Sequence, residues 1–136
     1  MELRSLKTIK MALENQLKIP RDANVLAVCL MGLNRSPKLV EILQRHGYQN
    51  VAKLGLWEPM MPSKKRQIIG EAGYLVTLDP RAAEEIKERY RITPEQVLIE
   101  LNVPEYSPKE DESRTLKTPE EIYDDIKHKI APYLSD

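Results

Sequence analysis

Hydrophobic and polar positions follow a helical period at the start of the chain and then a strand-like run. Residues 2–18 set apolar side chains among Lys, Glu and Gln, with a spacing that keeps much of the apolar surface on one helical face: Leu3, Leu6, Ile9, Met11, Leu13 and Leu17. This predicts an N-terminal amphipathic helix. After Pro20, the continuous apolar run from Val25 to Cys29 is typical of a parallel strand that is covered on both faces.

The same unit of strand, loop and helix recurs in weaker form. Ser36 and Pro37 supply a cap and a first turn for a helix that ends near Gly47. Further strands are predicted at 51–56, 74–78 and 96–101, and further helices at 63–71 and 80–90. Residues 104–117 are polar and rich in breakers, which predicts an exposed loop. A capping box from Thr118 to Glu121 then opens a last helix that runs to about residue 133.

Strands that alternate with helices favour a parallel sheet, because each parallel connection needs a crossover that covers one face. We therefore predict one domain over residues 1–136, with an α/β fold. Its architecture would be a three-layer α/β/α sandwich around a four-stranded parallel sheet, with the N-terminal helix added. Ligands of such folds bind at the carboxyl ends of the strands, which is where Cys29 would lie.

Composition narrows the classes of partner and chemistry. The 21 basic residues offset the 21 acidic ones, so a general nucleic-acid binder is not expected. No apolar run approaches the roughly 20 residues of a membrane span, and the charged N-terminus is unlike a signal peptide, so we expect a cytoplasmic protein with no membrane partner. Cys29 is the only cysteine, which excludes an internal disulfide, a cysteine-rich zinc cluster and a second resolving thiol in the chain.

The candidate chemistry lies in the stretch from Cys29 to Ser36, CLMGLNRS. Backbone amides in a tight loop that feeds a helix converge on an anion, and their field favours a thiolate over a thiol. Arg35 adds a planar fork for two phosphoryl oxygens. Ser36 can donate its hydroxyl to the sulfur when a phosphocysteine is hydrolysed. A lone buried cysteine is more often a packing residue, but an Arg six positions later followed by Ser favours a phosphate-binding loop.

A Cys, five residues, an Arg and then a Ser is the signature loop of cysteine-dependent phosphatases, and this chain resembles the low-molecular-weight protein tyrosine phosphatases. The resemblance rests on the loop directly after the first strand, on the run Arg35-Ser36-Pro37, and on the strand and helix alternation over residues 24–133. It implies that Cys29 is the nucleophile, that no metal or cofactor takes part, and that the substrate is a phosphotyrosine protein or a small aryl phosphate. It also implies that the phosphate lies against Leu30, Met31, Gly32, Leu33, Asn34 and Arg35.

The family's general acid, usually an Asp followed by Pro and an aromatic residue, lies after the fourth strand. Here Val103-Pro104-Glu105-Tyr106 occupies that place, which makes Glu105 the best candidate for the acid. Glu110 and Asp111, further along the loop, are alternatives. Gly32 also departs from the family's frequent Asn three residues after the Cys. These departures indicate a small, divergent relative.

Other functions compete with this interpretation. The same loop can hold a phosphate or a phosphoprotein without turnover, and a phosphocarrier can use a Cys loop after its first strand, although such carriers lack the arginine. The dual-specificity phosphatases share the loop spacing, but a long section precedes their Cys. Arsenate reductases share the low-molecular-weight fold but depend on further cysteines. Trp57, near Met60 and Met61, can line a substrate pocket, but core packing is the simpler expectation. The sequence leaves the oligomeric state open.

Overall fold

The structure is a computed structural model that describes residues 18–32, 34–107 and 115–135, apart from the side chains of residues 106, 107 and 115. Four parallel strands form the sheet: β1 (Val25–Cys29), β2 (Val51–Gly55), β3 (Tyr74–Thr77) and β4 (Val97–Glu100). Their spatial order is β2, β1, β3, β4. The helices of the described ranges are α1 (Arg35–Arg45), α2 (Pro62–Glu71), α3 (Pro80–Arg89) and α4 (Pro119–Ile130), and a short 3₁₀ turn follows over Ala131–Tyr133.

The alternation of side chains along β1 explains the three layers. Val25, Ala27 and Cys29 contribute to one apolar cluster, which also holds the buried faces of α1 and α4. Leu26 and Val28 contribute to a second cluster with residues of α2 and α3. Both faces of the central strand are therefore covered, as a continuous apolar run requires.

The predicted fold class is confirmed, with a four-stranded parallel sheet between helical layers. The capping box of α4 is also present, since the Thr118 hydroxyl accepts from the Glu121 amide and the Glu121 carboxylate accepts from the Thr118 amide. Residues 2–17 of the predicted N-terminal helix lie outside the described residues. No helix in the described parts of the chain combines the length and apolar character that a membrane span needs.

The polar segment predicted as a loop after β4 begins and ends in short strands. Strand β5 (Tyr106–Ser107) pairs antiparallel with β6 (Thr115–Leu116), so the segment leaves and returns as a short ribbon. The Lys117 amide donates to the Glu105 carbonyl at 2.8 Å and extends this pairing. The polar composition hid the ribbon because two-residue strands carry almost no periodic signal.

The two ends of the described chain contact each other directly and through a buried tyrosine. Ile19 forms an isolated parallel bridge with Leu134. The buried Tyr48 hydroxyl donates to the Ile19 carbonyl at 2.6 Å and accepts from the Ser135 amide at 2.9 Å. One side chain thus satisfies a polar group of each end.

Candidate active site

The carboxyl end of β1 places Cys29 at the edge of the sheet where ligands of this architecture bind. Its side chain is buried, and two donors approach the sulfur. The Gly32 amide donates to Sγ at 2.8 Å, and the Ser36 hydroxyl oxygen lies 3.0 Å from Sγ. When the sulfur is a thiolate it can only accept, so both groups then stabilise its charge.

The loop after Cys29 curls tightly enough to need two glycines. Gly32 has a positive φ of 70°, which side chains rarely tolerate. A Cβ on Gly32 would lie 1.9 Å from Oε1 of Glu58, and a Cβ on Gly55 would lie 2.4 Å from the carbonyl carbon of Met31. The loop therefore packs directly on the end of β2, where the Lys53 ammonium also donates to the Gly32 carbonyl at 2.9 Å.

The N-cap of helix α1 lies two residues before Ser36, where the sequence predicted it. Asn34 is the N-cap, with no capping bond from its side chain, and Ser36 already lies inside the first turn. This frees the buried Ser36 hydroxyl to face Cys29. The expectation that Ser36 caps the helix is wrong, because the sulfur is its partner instead.

Arg35 is 8% exposed and is held by three neighbours. Its Nη1 donates to Oδ2 of Asp79 at 3.1 Å and to the Val103 carbonyl at 2.9 Å. Its Nε lies 3.4 Å from Oε1 of Glu105, as an ion pair without hydrogen-bond geometry. Within the described residues, this buried Nε has no hydrogen-bond partner. The guanidinium therefore retains a donor that an anion can use.

Asp79 is a site residue that sequence reasoning missed. In the sequence it stands directly before Pro80, which indicates only the start of a helix, and its Oδ1 does cap α3 by accepting from the Arg81 amide at 2.8 Å. Its other oxygen holds Arg35. The available signal was its place directly after β3, because carboxyl ends of neighbouring parallel strands meet at one edge of the sheet.

The other predicted residues fall into three groups. Glu105 lies beside Arg35, with its side chain 35% exposed. Leu30, Met31, Gly32 and Asn34 are in the loop as expected, whereas Leu33 lies outside the described residues. Glu110 and Asp111 also lie outside them, so of the three candidate acids Glu105 alone has a described position.

Trp57 lies on the loop that follows β2. It is next to the loop after Cys29, because its amide donates to the Leu30 carbonyl at 2.6 Å. The indole is 44% exposed and belongs to neither core cluster, so the expectation of core packing is wrong for this side chain. Its Nε1 donates to Glu85 at 3.0 Å, and the Arg81 guanidinium lies 4.8 Å from the ring centroid. These contacts from α3 fix an aromatic surface beside the site.

Comparisons with known proteins agree with this architecture at the level of fold. No protein-family model matches the sequence. No curated protein matches it. A solved structure, the Corynebacterium glutamicum thioredoxin-dependent arsenate reductase Cg_ArsC1', aligns with a TM-score of 0.50 and 15% identity over 92% of this chain. The alignment spans 66% of that reductase. At this identity the likeness shows the fold alone.

Proposed function

We propose that this chain is a metal-independent phosphomonoester hydrolase that acts through a phosphocysteine on phosphotyrosine proteins or small aryl phosphates. The observation that carries the proposal is the environment of Cys29. Its sulfur receives the Gly32 amide at 2.8 Å and has the Ser36 hydroxyl at 3.0 Å, at the start of a loop that ends in the buried Arg35. A cysteine that served only for packing would need neither polar neighbour.

In the proposed first step, the Cys29 thiolate attacks phosphorus and the bond from phosphorus to the ester oxygen breaks. Arg35 and the loop amides stabilise the charge on the phosphoryl oxygens. Glu105 gives its proton to the departing oxygen. Oε1 of Glu105 lies 3.4 Å from Nε of Arg35, so the carboxyl is next to the group that binds the phosphoryl oxygens.

In the proposed second step, water attacks the phosphocysteine and Glu105 accepts a proton from that water. The bond from sulfur to phosphorus breaks, and the sulfur leaves as a thiolate. The Ser36 hydroxyl, 3.0 Å away, donates to the sulfur as its negative charge develops. The products are inorganic phosphate and the free enzyme.

Steady-state hydrolysis of an aryl phosphate without metal, from about pH 4 to 8, tests this mechanism. Cys29→Ser and Arg35→Ala should each abolish turnover, and Glu105→Gln should remove the alkaline limb of the pH profile. Glu95→Gln is the matched control, because Glu95 is an exposed carboxylate at a distance in sequence from the site. Activity that survives Cys29→Ser would overturn the proposal.

A non-catalytic phosphate or phosphoprotein binding module is the second candidate. The departure at the acid favours it, since Glu105 stands where the resembled family carries an Asp. In that case wild type would show no turnover, but inorganic phosphate would still protect Cys29 from alkylation.

Arsenate reduction is a further outcome to test, prompted by the fold neighbour's name. Because Cys29 is the only thiol of the chain, reduction would need an external thiol to form the disulfide and release arsenite.

A further inference from the structure

The segment that carries Glu105 is fastened to helix α4 at both of its stems. Before Glu105, the Asn102 carbonyl accepts a hydrogen bond from the Lys129 ammonium. After it, Lys117 donates its amide to the Glu105 carbonyl and lies with its ammonium 3.3 Å from Oδ2 of Asp125. Lys129 in turn lies 3.1 Å from Oδ1 of Asp125. The Asp125 carboxylate on α4 therefore contacts both lysines: Lys129, which bonds the chain before Glu105, and Lys117, which follows Glu105.

The platform under this carboxylate is well packed. Ile122, Ile126 and Ile130 of α4 are buried in the core cluster, on the face next to Asp125. The Lys117 and Asp125 side chains are only 14% and 21% exposed, so their attraction is less screened than that of a surface pair. The buried face of α4 thus fixes the position of Asp125, and the two lysine contacts anchor the segment around Glu105 to it.

We propose that Asp125 is a positioning residue for Glu105, an inference that rests on the proposed function. The Asn102 stem runs directly into Val103, whose carbonyl binds Arg35. The Lys117 stem is bonded to Glu105 itself. Removal of the Asp125 charge weakens its hold on both ammonium groups, so the chain at Asn102 and at Lys117 is less firmly anchored to α4. Glu105 then spends less time within reach of the leaving oxygen. Arg35 keeps its 3.1 Å ion pair with Asp79, so the loop around Cys29 keeps its cation.

A general acid matters most when the leaving group is a strong base, so the test compares two esters. Phenyl phosphate releases a basic phenolate, and 2,4-dinitrophenyl phosphate releases one that departs without a proton. For Asp125→Asn, kcat/KM on phenyl phosphate should fall about tenfold, a fraction of the 10²–10⁴-fold that a general acid supplies. On the dinitrophenyl ester kcat/KM should stay close to wild type. Asp124→Asn, on the exposed neighbouring position, is the control and should change neither value.

A double variant shows whether Asp125 acts through the acid. In a Glu105→Gln background, Asp125→Asn should cause no further loss on phenyl phosphate, because the group that it positions is already gone. Lys117→Met removes the same ion pair from the other side and keeps an aliphatic side chain, so it should cause a similar loss on phenyl phosphate. Equal losses on both esters, an additive double variant, or wild-type rates in Asp125→Asn would each overturn the proposal.

Amide hydrogen exchange separates this proposal from the proposed function. The Lys117 amide, which donates to Glu105, should exchange faster in Asp125→Asn, whereas the Leu78 amide, bonded to the Val28 carbonyl inside the fold, should not. If wild type hydrolyses neither ester, the proposed function fails and the positioning role fails with it. Faster Lys117 exchange would then show an anchor without a catalytic purpose, and unchanged exchange would exclude the anchor as well.

Discussion

Arg35 and Asp79 form a 3.1 Å ion pair at the carboxyl edge of the sheet, between the first residue of α1 and the residue that follows Leu78 after β3. The two side chains are 10% and 24% exposed. Because Asp79 also caps α3, the direction of the guanidinium is fixed by a helix that packs on the opposite face of the sheet. The central and neighbouring strands thus determine together where the cation points.

Asp79→Asn should weaken the site without loosening the fold. Asn is as good an N-cap as Asp, so the thermal midpoint should stay close to wild type, but the charged partner of Arg35 is lost. A hydrogen bond to a charged group contributes about 1.5–3 kcal/mol, so kcat/KM for an aryl phosphate should fall about tenfold to hundredfold. Asp22→Asn, on an exposed turn, is the control. Unchanged kcat/KM would show that Val103 and the loop orient Arg35 without Asp79.

Ser36→Ala should slow the breakdown of the phosphocysteine more than its formation. The hydroxyl lies 3.0 Å from the sulfur, so its loss removes a donor to the departing thiolate, worth about tenfold. Rapid mixing with an aryl phosphate should then show a burst of phenol followed by a slower steady state. Ser63→Ala, at an exposed position of α2, should leave the time course unchanged. A variant that lost the burst itself would assign Ser36 to the first step.

The sequence predicted what depends on short-range patterns. The apolar run of β1 and the capping box of α4 are local signals, and both elements lie where they were expected. The loop from Cys29 to Ser36 could be found because its residue types are rare in that spacing. Its position at the carboxyl edge followed from the parallel topology.

What sequence reasoning missed depends on contacts between distant segments. In the sequence Asp79 indicates only a helix start, because it stands directly before Pro80. Its bond to Arg35, 44 positions away, has no local signature. Trp57 looked like core because large aromatic residues usually are, but α3 holds it at the surface through Glu85 and Arg81. The cap at Asn34 was missed because Ser36, directly before Pro37, is an equally good capping type, and the contact between the Ser36 hydroxyl and the Cys29 sulfur has no signal in the sequence.

Substitution by Ala should change the free energy of unfolding in opposite directions at Gly32 and at Gly70. Gly32→Ala forces a side chain into a positive φ and against Glu58. It should cost about 1–2 kcal/mol and abolish protection of Cys29 by inorganic phosphate. Gly70→Ala meets nothing within 4 Å and lies in α2, so it should raise the free energy of unfolding by up to about 1 kcal/mol. Urea titration and alkylation of both variants check this. Retained phosphate protection in Gly32→Ala would contradict the role given to the loop's curl.

Tyr48→Phe tests the contact that joins the two ends of the described chain. The substitution keeps the ring in the core but removes a hydroxyl that donates to Ile19 and accepts from Ser135. Each lost bond is worth about 0.5–1.5 kcal/mol, so the free energy of unfolding should fall by about 1–3 kcal/mol. The Ile19 carbonyl keeps a second donor, the Ser135 hydroxyl. Tyr123→Phe is the matched control, because the Tyr123 hydroxyl accepts an exposed 3.4 Å hydrogen bond from Arg45, and its effect should stay within about 0.5 kcal/mol. Activity at low temperature should be the same in both variants, since neither hydroxyl contacts the Cys29 loop. If Tyr48→Phe were as stable as wild type, the bridge between Ile19 and Leu134 would have to hold the ends without Tyr48.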